Sequence, residues 1–167
     1  RVYNTSLQEI ADLSDYFPSV TFGGPLCDDP NGNYWQVTGN FVRRYTPSAF
    51  GAGGVTEWSS TLWTGGELPR TVFWDDFTGH IYFTLGMAKR VIKWHPENGY
   101  VAHVDGVAIP AGFGYQSDSN LPINGKFWSA ASFEATLVDL VAMRLERSID
   151  LIPFRPSSAT HYGGAYE

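Results

Sequence analysis

Apolar and polar residues alternate through most of the middle of this chain. Tyr82-Phe-Thr84 leads into Ala88-Lys-Arg-Val-Ile-Lys-Trp94, where β-branched and aromatic residues are interleaved with cations, as in a strand with one wet face. Asn98-Gly99 and Asp105-Gly106 tolerate positive φ, so they predict two tight turns that bracket Tyr100 to Val104 as a short strand between two others. Upstream, Tyr34 to Tyr45 predicts one strand. Trp35, Val37, Gly39, Phe41 and Arg43 fall on one face and Gln36, Thr38, Asn40, Val42 and Arg44 on the other. Val55 to Thr64 predicts another strand, punctuated by Gly65-Gly66, and Ser148 to Pro156 a last one that prolines cut off.

Helical signals are short. Ser6-Leu-Gln-Glu9 is a capping box, Leu7, Ile10, Ala11 and Ser14 then share a side, and Pro18 ends the helix. Asp75, Asp76 and Gly79 predict a single helical turn after Trp74. Residues 132–147 fit two periods. Helical spacing selects Phe133, Leu137, Leu140 and Val141 behind Ser132, whereas period two selects Phe133, Ala135, Leu137, Val141, Met143 and Leu145; the β surroundings favour strand. Loops are expected at 22–33, 47–54 and 113–125, the last closing in Asn124-Gly125, and long loops are commonly functional surface. No repeat is found at periods of 20 to 50 residues.

With 167 residues the chain suits one domain. The expectation is an all-β fold, an antiparallel β-sandwich over 1–167, with 1–33 a helix and acidic-loop arm and 157–167 an extended C-terminal tail. Six Trp, nine Tyr and eleven Phe against few charges indicate a filled core. A net charge of -6 argues against a nucleic-acid binder, because its eleven cations cluster only at Arg43-Arg44, Lys89-Arg90 and Arg144 to Arg147. No apolar run approaches the roughly 20 residues of a membrane helix, so no membrane partner is expected. The one cysteine, Cys27, cannot close an internal disulfide.

Candidate chemistry is thin. The chain lacks a nucleophile elbow, a phosphate-binding Gly-Lys-Ser/Thr loop, Cys-x-x-Cys and His-Glu-x-x-His. His95, Glu97, His103 and Asp105 form the one constellation that a hairpin could bring together around a metal. Ile109-Pro-Ala-Gly112 resembles the second motif of the cupins. However, cupins place two histidines two residues apart and another after Pro-Ala-Gly, where this chain has Phe113. Surface or hydrogen-bonded histidines are therefore favoured. Asp28-Asp29 could bind a hard cation, but without an EF-hand pattern they are better explained as solvated turn residues. Asn4-Thr5-Ser6 matches a glycosylation sequon, with Ser6 better used as a cap. Trp35, Trp58, Trp63, Trp74, Trp94 and Trp128 could line a sugar-binding face; large aromatics more often fill a core or subunit interface, and the loop-rich context favours the interface. No catalytic, cofactor-binding or metal residue is assigned, and no enzyme is expected.

Three stretches carry a family resemblance. Thr5-Ser-Leu-Gln-Glu-Ile-Ala-Asp-Leu-Ser-Asp-Tyr-Phe17 resembles the short helix before the barrel in capsid proteins of picornavirus-like insect and marine algal viruses. The stretch from Trp74 to Lys93 resembles that family's small helix and following strand, and Ile149 to Ser158 its closing strand. The resemblance implies an eight-stranded jelly roll that assembles with other capsid subunits into an icosahedral shell in the virion, with no catalytic residues. Two alternatives stand beside it. One is a carbohydrate-binding β-sandwich or protruding capsid domain that meets a host glycan or receptor, with a secreted location as the alternative to the virion, and the other a cupin-like metalloenzyme.

Overall fold

The computed structural model of the chain describes residues 2–3, 9–11, 25–46, 55–61, 63, 69–109, 122–131 and 133–152. Strands β1 (Val2–Tyr3) and β2 (Glu9–Ala11) form a small pair. A first sheet follows, made of β3 (Leu26–Asp28), β4 (Tyr34–Thr38), β5 (Phe41–Tyr45) and β6 (Val55–Ser59), paired in chain order. The second sheet repeats that order with β7 (Pro69–Asp75), β8 (His80–Leu85), β9 (Arg90–His95) and β10 (Gly99–Asp105). The third has β11 (Lys126–Ala131), β12 (Glu134–Asp139) and β13 (Arg144–Asp150).

Turn chemistry decides where these strands fold back. Asn124 (φ 49°) and Gly125 (φ 71°) are both left-handed, the backbone of a two-residue turn whose twist suits a hairpin. Ile123 and Lys126 accordingly exchange backbone hydrogen bonds of 2.9 and 3.0 Å. Gly32 (φ 76°) and Gly79 (φ 66°) occupy the corresponding turns of the first and second sheets. Gly39 (φ 55°) reverses the chain between β4 and β5, and the Trp63 indole N–H donates to its carbonyl at 2.7 Å.

The sheets stack face to face with the second in the middle. Trp35, Val37 and Val42 of the first sheet pack against Val72, Ile81, Phe83, Leu85, Ile92 and Trp94 of the second. The opposite face of the second sheet sets Phe73, Tyr82, Val91 and Val104 against Phe127, Val138 and Leu140. Phe73 stacks on Phe127 at 4.8 Å between ring centroids. Burial on both faces explains why β7 and β8 read as nearly continuous apolar runs. At one side β3 lies against β7, and at the other β10 lies against β13, so the sheets spread as a fan.

Several expectations are corrected. The all-β antiparallel class holds; the jelly roll does not, because a jelly roll needs long Greek-key connections and here each strand pairs with its neighbour in sequence. Nor is the fold a two-layer sandwich, since three sheets stack. Tyr34 to Tyr45 is a hairpin, which flips the faces: Trp35 and Val37 share theirs with Val42 and Arg44. No α-helix occurs among the described residues. Glu9–Ala11 is strand instead of the helix its capping box predicts, and the rest of that segment lies outside the described residues. The turn after Asp75 is fastened by Gly79 N–H to Asp75 O (2.8 Å) and Thr78 N–H to the Asp75 carboxylate (3.0 Å), without becoming a helix. The stretch read two ways at 132–147 is strand at Glu134–Asp139 and again from Arg144, broken by a turn after Asp139, where the Asp139 carboxylate accepts from Val141 and Ala142 N–H. The expected loop at 22–33 contains β3, and Asp105-Gly106 leads across to the third sheet instead of closing a hairpin. The tail at 157–167 lies outside the described residues.

A repeat is present after all. Gly32, Gly79 and Gly125 recur 47 and 46 residues apart. Three residues beyond each come Trp35, Tyr82 and Trp128, whose cross-strand partners are Arg44, Lys93 and Leu137. The Arg44 guanidinium lies 5.6 Å from the Trp35 ring centroid and the Lys93 ammonium 5.9 Å from that of Tyr82, the same contact in two sheets. Arg44 also reaches Glu97 (2.5 Å) and Pro96 O (3.5 Å) in the second sheet, while Lys93 reaches Leu140 O (3.5 Å) in the third. Each sheet therefore grips the next in the same way.

Candidate functional site

The turns that follow β3 and β7 each carry an acidic pair. Asp28-Asp29-Pro-Asn-Gly32 and Asp75-Asp76-Phe-Thr-Gly79 place two carboxylates before a left-handed glycine, and one of each pair is consumed in holding its own turn. Asp29 is buried and accepts from Asn31 N–H (2.9 Å), Asn33 N–H (3.0 Å), Asn33 Nδ2 (2.8 Å) and Trp35 Nε1 (2.9 Å). Burial alone would raise its pKa. The hydrogen bonds from Trp35 and Asn33 outweigh that and hold it below the usual carboxylate range. Asp75 serves its own turn in the same way through Thr78.

The other two acids, Asp28 and Asp76, stay exposed. Between them the meeting of β3 and β7 opens a groove of about 530 Å³, lined by Leu26, Cys27 and Asp28 on one side and Phe73, Trp74 and Asp76 on the other. A second recess of about 410 Å³ continues past Trp74 and Asp76 toward Phe77, Pro122 and Asn124. The Trp74 indole donates to Asp76 Oδ1 at 2.7 Å, which fixes the ring at the edge the two recesses share. Such an arrangement offers aromatic surface flanked by carboxylates, suited to holding a ligand by shape and charge.

Cys27 lies in this wall as a free thiol. Burial, and then the neighbouring Asp28 and Asp29 carboxylates, push its pKa far above the ordinary value, so it stays protonated near neutral pH. Reaction of Cys27 with a disulfide reagent at pH 8 is expected to run at least tenfold slower than in the denatured chain, read from released chromophore. Equal rates would contradict this environment.

The histidine constellation does not converge as a set; only His103 and Asp105 meet, with Nε2 3.5 Å from Oδ2. His95 Nδ1 accepts from Glu97 and Asn98 N–H, both at 3.1 Å, and so supports its own turn. Glu97 is engaged by Arg44, and His103 by the Tyr100 hydroxyl at 2.7 Å, while Asp105 is engaged by Arg90 at 2.6 Å. His95 pairs with Gly99 at one end of the β9–β10 ladder and His103 with Ile92 well along it. Among the described residues no group of three or more His, Cys, Asp or Glu is placed to hold a metal. The cupin-like reading therefore loses its ligand set. Of Ile109-Pro-Ala-Gly112 only Ile109 is described; Pro110 to Phe113 lie outside the described residues.

The tryptophans also find a different use. Trp35, Trp63 and Trp94 are buried between the first and second sheets, with Trp58 and Trp74 packed against that core, and Trp128 is exposed. All but Trp128 join sheets of one chain, so these rings serve the intramolecular core instead of the aromatic interface on which the shell-forming reading leaned. Asp76 was legible only as a helix start, and Trp74 only as one of six tryptophans that could line a binding face or an interface. The signal for the groove was Asp-Asp-x-x-Gly occurring twice, 47 residues apart.

No protein-family model matches the chain, and no curated protein sequence does. Solved structures do share its fold. A streptogramin B lyase superposes with a TM-score of 0.55 at 13% identity, over 76% of this chain and 40% of its own. Virginiamycin B lyase from Staphylococcus aureus gives 0.51 at 14% identity over 75% and 40%, and a chain of the mitotic checkpoint complex 0.54 at 12% over 76% and 36%. These neighbours are β-propellers and none is a capsid protein, so the capsid resemblance, with its virion role, is set aside. Of its three stretches, Trp74 to Lys93 spans the end of β7, the turn at Gly79, β8 and most of β9, strand and turn chemistry that many β folds use, while most of Thr5 to Phe17 and of Ile149 to Ser158 lies outside the described residues. This chain spans about two fifths of the length of these neighbours, and its stacked four-stranded antiparallel sheets correspond to propeller blades.

Proposed function

We propose that the chain is a recognition element, a group of propeller blades that binds a small organic cation in the groove between the first and second blades. The observation that carries this reading is the pairing of exposed Asp28 and Asp76 across a groove lined by the Trp74 ring and the exposed Leu26 side chain. Carboxylates attract the charge, and the Trp74 ring with Leu26 accepts the apolar body of such a ligand. The net charge of -6 adds a field that draws cations in. The groove lies where the innermost strands of adjacent blades meet, beside the axis around which blades are arranged. At 13–14% identity the lyases support the fold and not their activity.

Calorimetric titration with choline, and with its uncharged carbon isostere, tests the proposal. Choline is expected to bind, more weakly as salt is raised, and Asp76→Asn combined with Asp28→Asn to reduce affinity about tenfold or more. Equal binding of the uncharged isostere, no binding of choline, or indifference to the double substitution would overturn it.

A further inference from the structure

The recess that continues past Trp74 and Asp76 differs from the groove before it in what lines it. Exposed Asp28 and Asp76 make the first groove acidic, whereas the second, of about 410 Å³, runs from Trp74 and Asp76 to Phe77, Pro122 and Asn124. Asp75 also lines it, but that carboxylate is buried and its Oδ2 accepts from Thr78 N–H (3.0 Å) and Thr78 Oγ1 (2.6 Å). Among the described residues, the far end therefore offers no uncommitted charge. Phe77 is the side chain there that the fold does not require. It is 63% exposed and belongs to neither of the cores that join the sheets. The turn does not need it either, since the matching turn of the first sheet, Asp28-Asp29-Pro-Asn-Gly32, has Pro30 in its place. Yet the ring is held. A Cβ at Gly125 would come within 3.0 Å of both Phe77 Cδ1 and Val141 Cγ2, so the ring rests on the bare backbone of the Asn124-Gly125 turn.

We propose that the ligand of the groove is an amphiphilic monocation, an ammonium head joined to an aromatic or alkyl tail, with the head at Asp28 and Asp76 and the tail in the second recess against Phe77. This rests on the cation-binding reading of the groove and adds the remainder of the ligand to it. Each recess alone has the volume of a small-molecule pocket, so the two together suit a ligand longer than its head group. Trp74 lines both, and the hydrogen bond from its indole to Asp76 Oδ1 (2.7 Å) fixes it where head and tail would join. An aromatic ring there attracts the cation and covers the first part of the hydrocarbon at once. Beyond it the tail leaves water for Phe77 and Pro122 and strips no charge of its solvent. A dication is the poorer fit. Its second charge would enter the far recess, where Thr78 already occupies Asp75 and Asn124 supplies only a neutral amide.

Calorimetric titration of the whole chain with choline, (3-phenylpropyl)trimethylammonium and hexamethonium tests the assignment. The phenylpropyl compound is expected to bind about tenfold or more tightly than choline, and more tightly than the dication hexamethonium. In Phe77→Ser the ratio of phenylpropyl to choline affinity is expected to fall to about threefold or less, with the far-ultraviolet dichroism spectrum kept. The three probes on the unaltered chain already decide the matter should that variant fail to fold. Choline binding with a phenylpropyl gain below tenfold overturns this proposal and leaves the cation-binding reading standing, whereas binding of none of the three overturns both. Hexamethonium binding more tightly than the phenylpropyl compound, or a folded Phe77→Ser that keeps the tenfold ratio, also overturns the tail assignment.

Discussion

Asp29→Ala is expected to destabilise the fold by about 3 kcal/mol, measured as a drop in urea-unfolding free energy. The substitution removes the acceptor for the buried Trp35 indole at 2.9 Å and for the N–H groups of Asn31 and Asn33. Trp35 is fully buried and stacks on Trp58 at 5.6 Å, so its N–H has no route to water. Loss of less than about 1 kcal/mol would mean that the turn is held by something else. The same carboxylate gives the fold an acid limit. Because its folded pKa lies below the ordinary value, Asp29 contributes stability that is complete above the unfolded carboxylate pKa of about 4 and is lost as pH falls through the lower folded value. Asp105, lowered chiefly by its hydrogen bond from Arg90, and Asp139, lowered chiefly by Ala142 N–H, act in the same direction. Stability should be flat with respect to these groups above about pH 5 and fall in acid, less steeply in Asp29→Asn.

Phe127→Ala should be larger, a loss of about 3–5 kcal/mol. Phe127 is fully buried, stacks on Phe73, and belongs to the cluster that joins the third blade to the second. Hydrogen exchange gives the discriminating readout. Amides of β11 to β13 are expected to lose protection first, while those of β4 and β5, which pack through the other core, keep theirs. Uniform loss across all three blades would show that they unfold as one unit. Phe133, 45% exposed, serves as a control, and its replacement by alanine should change stability by no more than about 0.5 kcal/mol.

Local chemistry was legible in the sequence wherever a single residue decides the backbone. Asn124-Gly125 and Asn98-Gly99 mark real hairpins, and alternation found most of the strands. The hairpin at Gly39-Asn40 escaped because one left-handed residue inside an alternating run leaves the pattern on both sides intact. The repeat escaped because its equivalent positions differ in residue type. Trp, Tyr and Trp beside Arg, Lys and Leu fill one role in three sheets, and only the glycine at the turn is common to all. Without the repeat, degenerate motifs pointed to a jelly roll, since stacked meanders and Greek keys use the same strand chemistry. The groove was less accessible still. Leu26 to Asp28 and Phe73 to Asp76 become neighbours only after two sheets have stacked; the repeated Asp-Asp-x-x-Gly marks two like turns but does not say that they meet.

The neighbour-to-neighbour pairing of the strands also bears on how the molecule is made. Every ladder within a blade closes between segments adjacent in the polypeptide, so a nascent chain leaving the ribosome can complete one blade before the residues of the next have been added. Low contact order of this kind favours swift, stepwise maturation, with the last-made sheet the one that waits unshielded during synthesis.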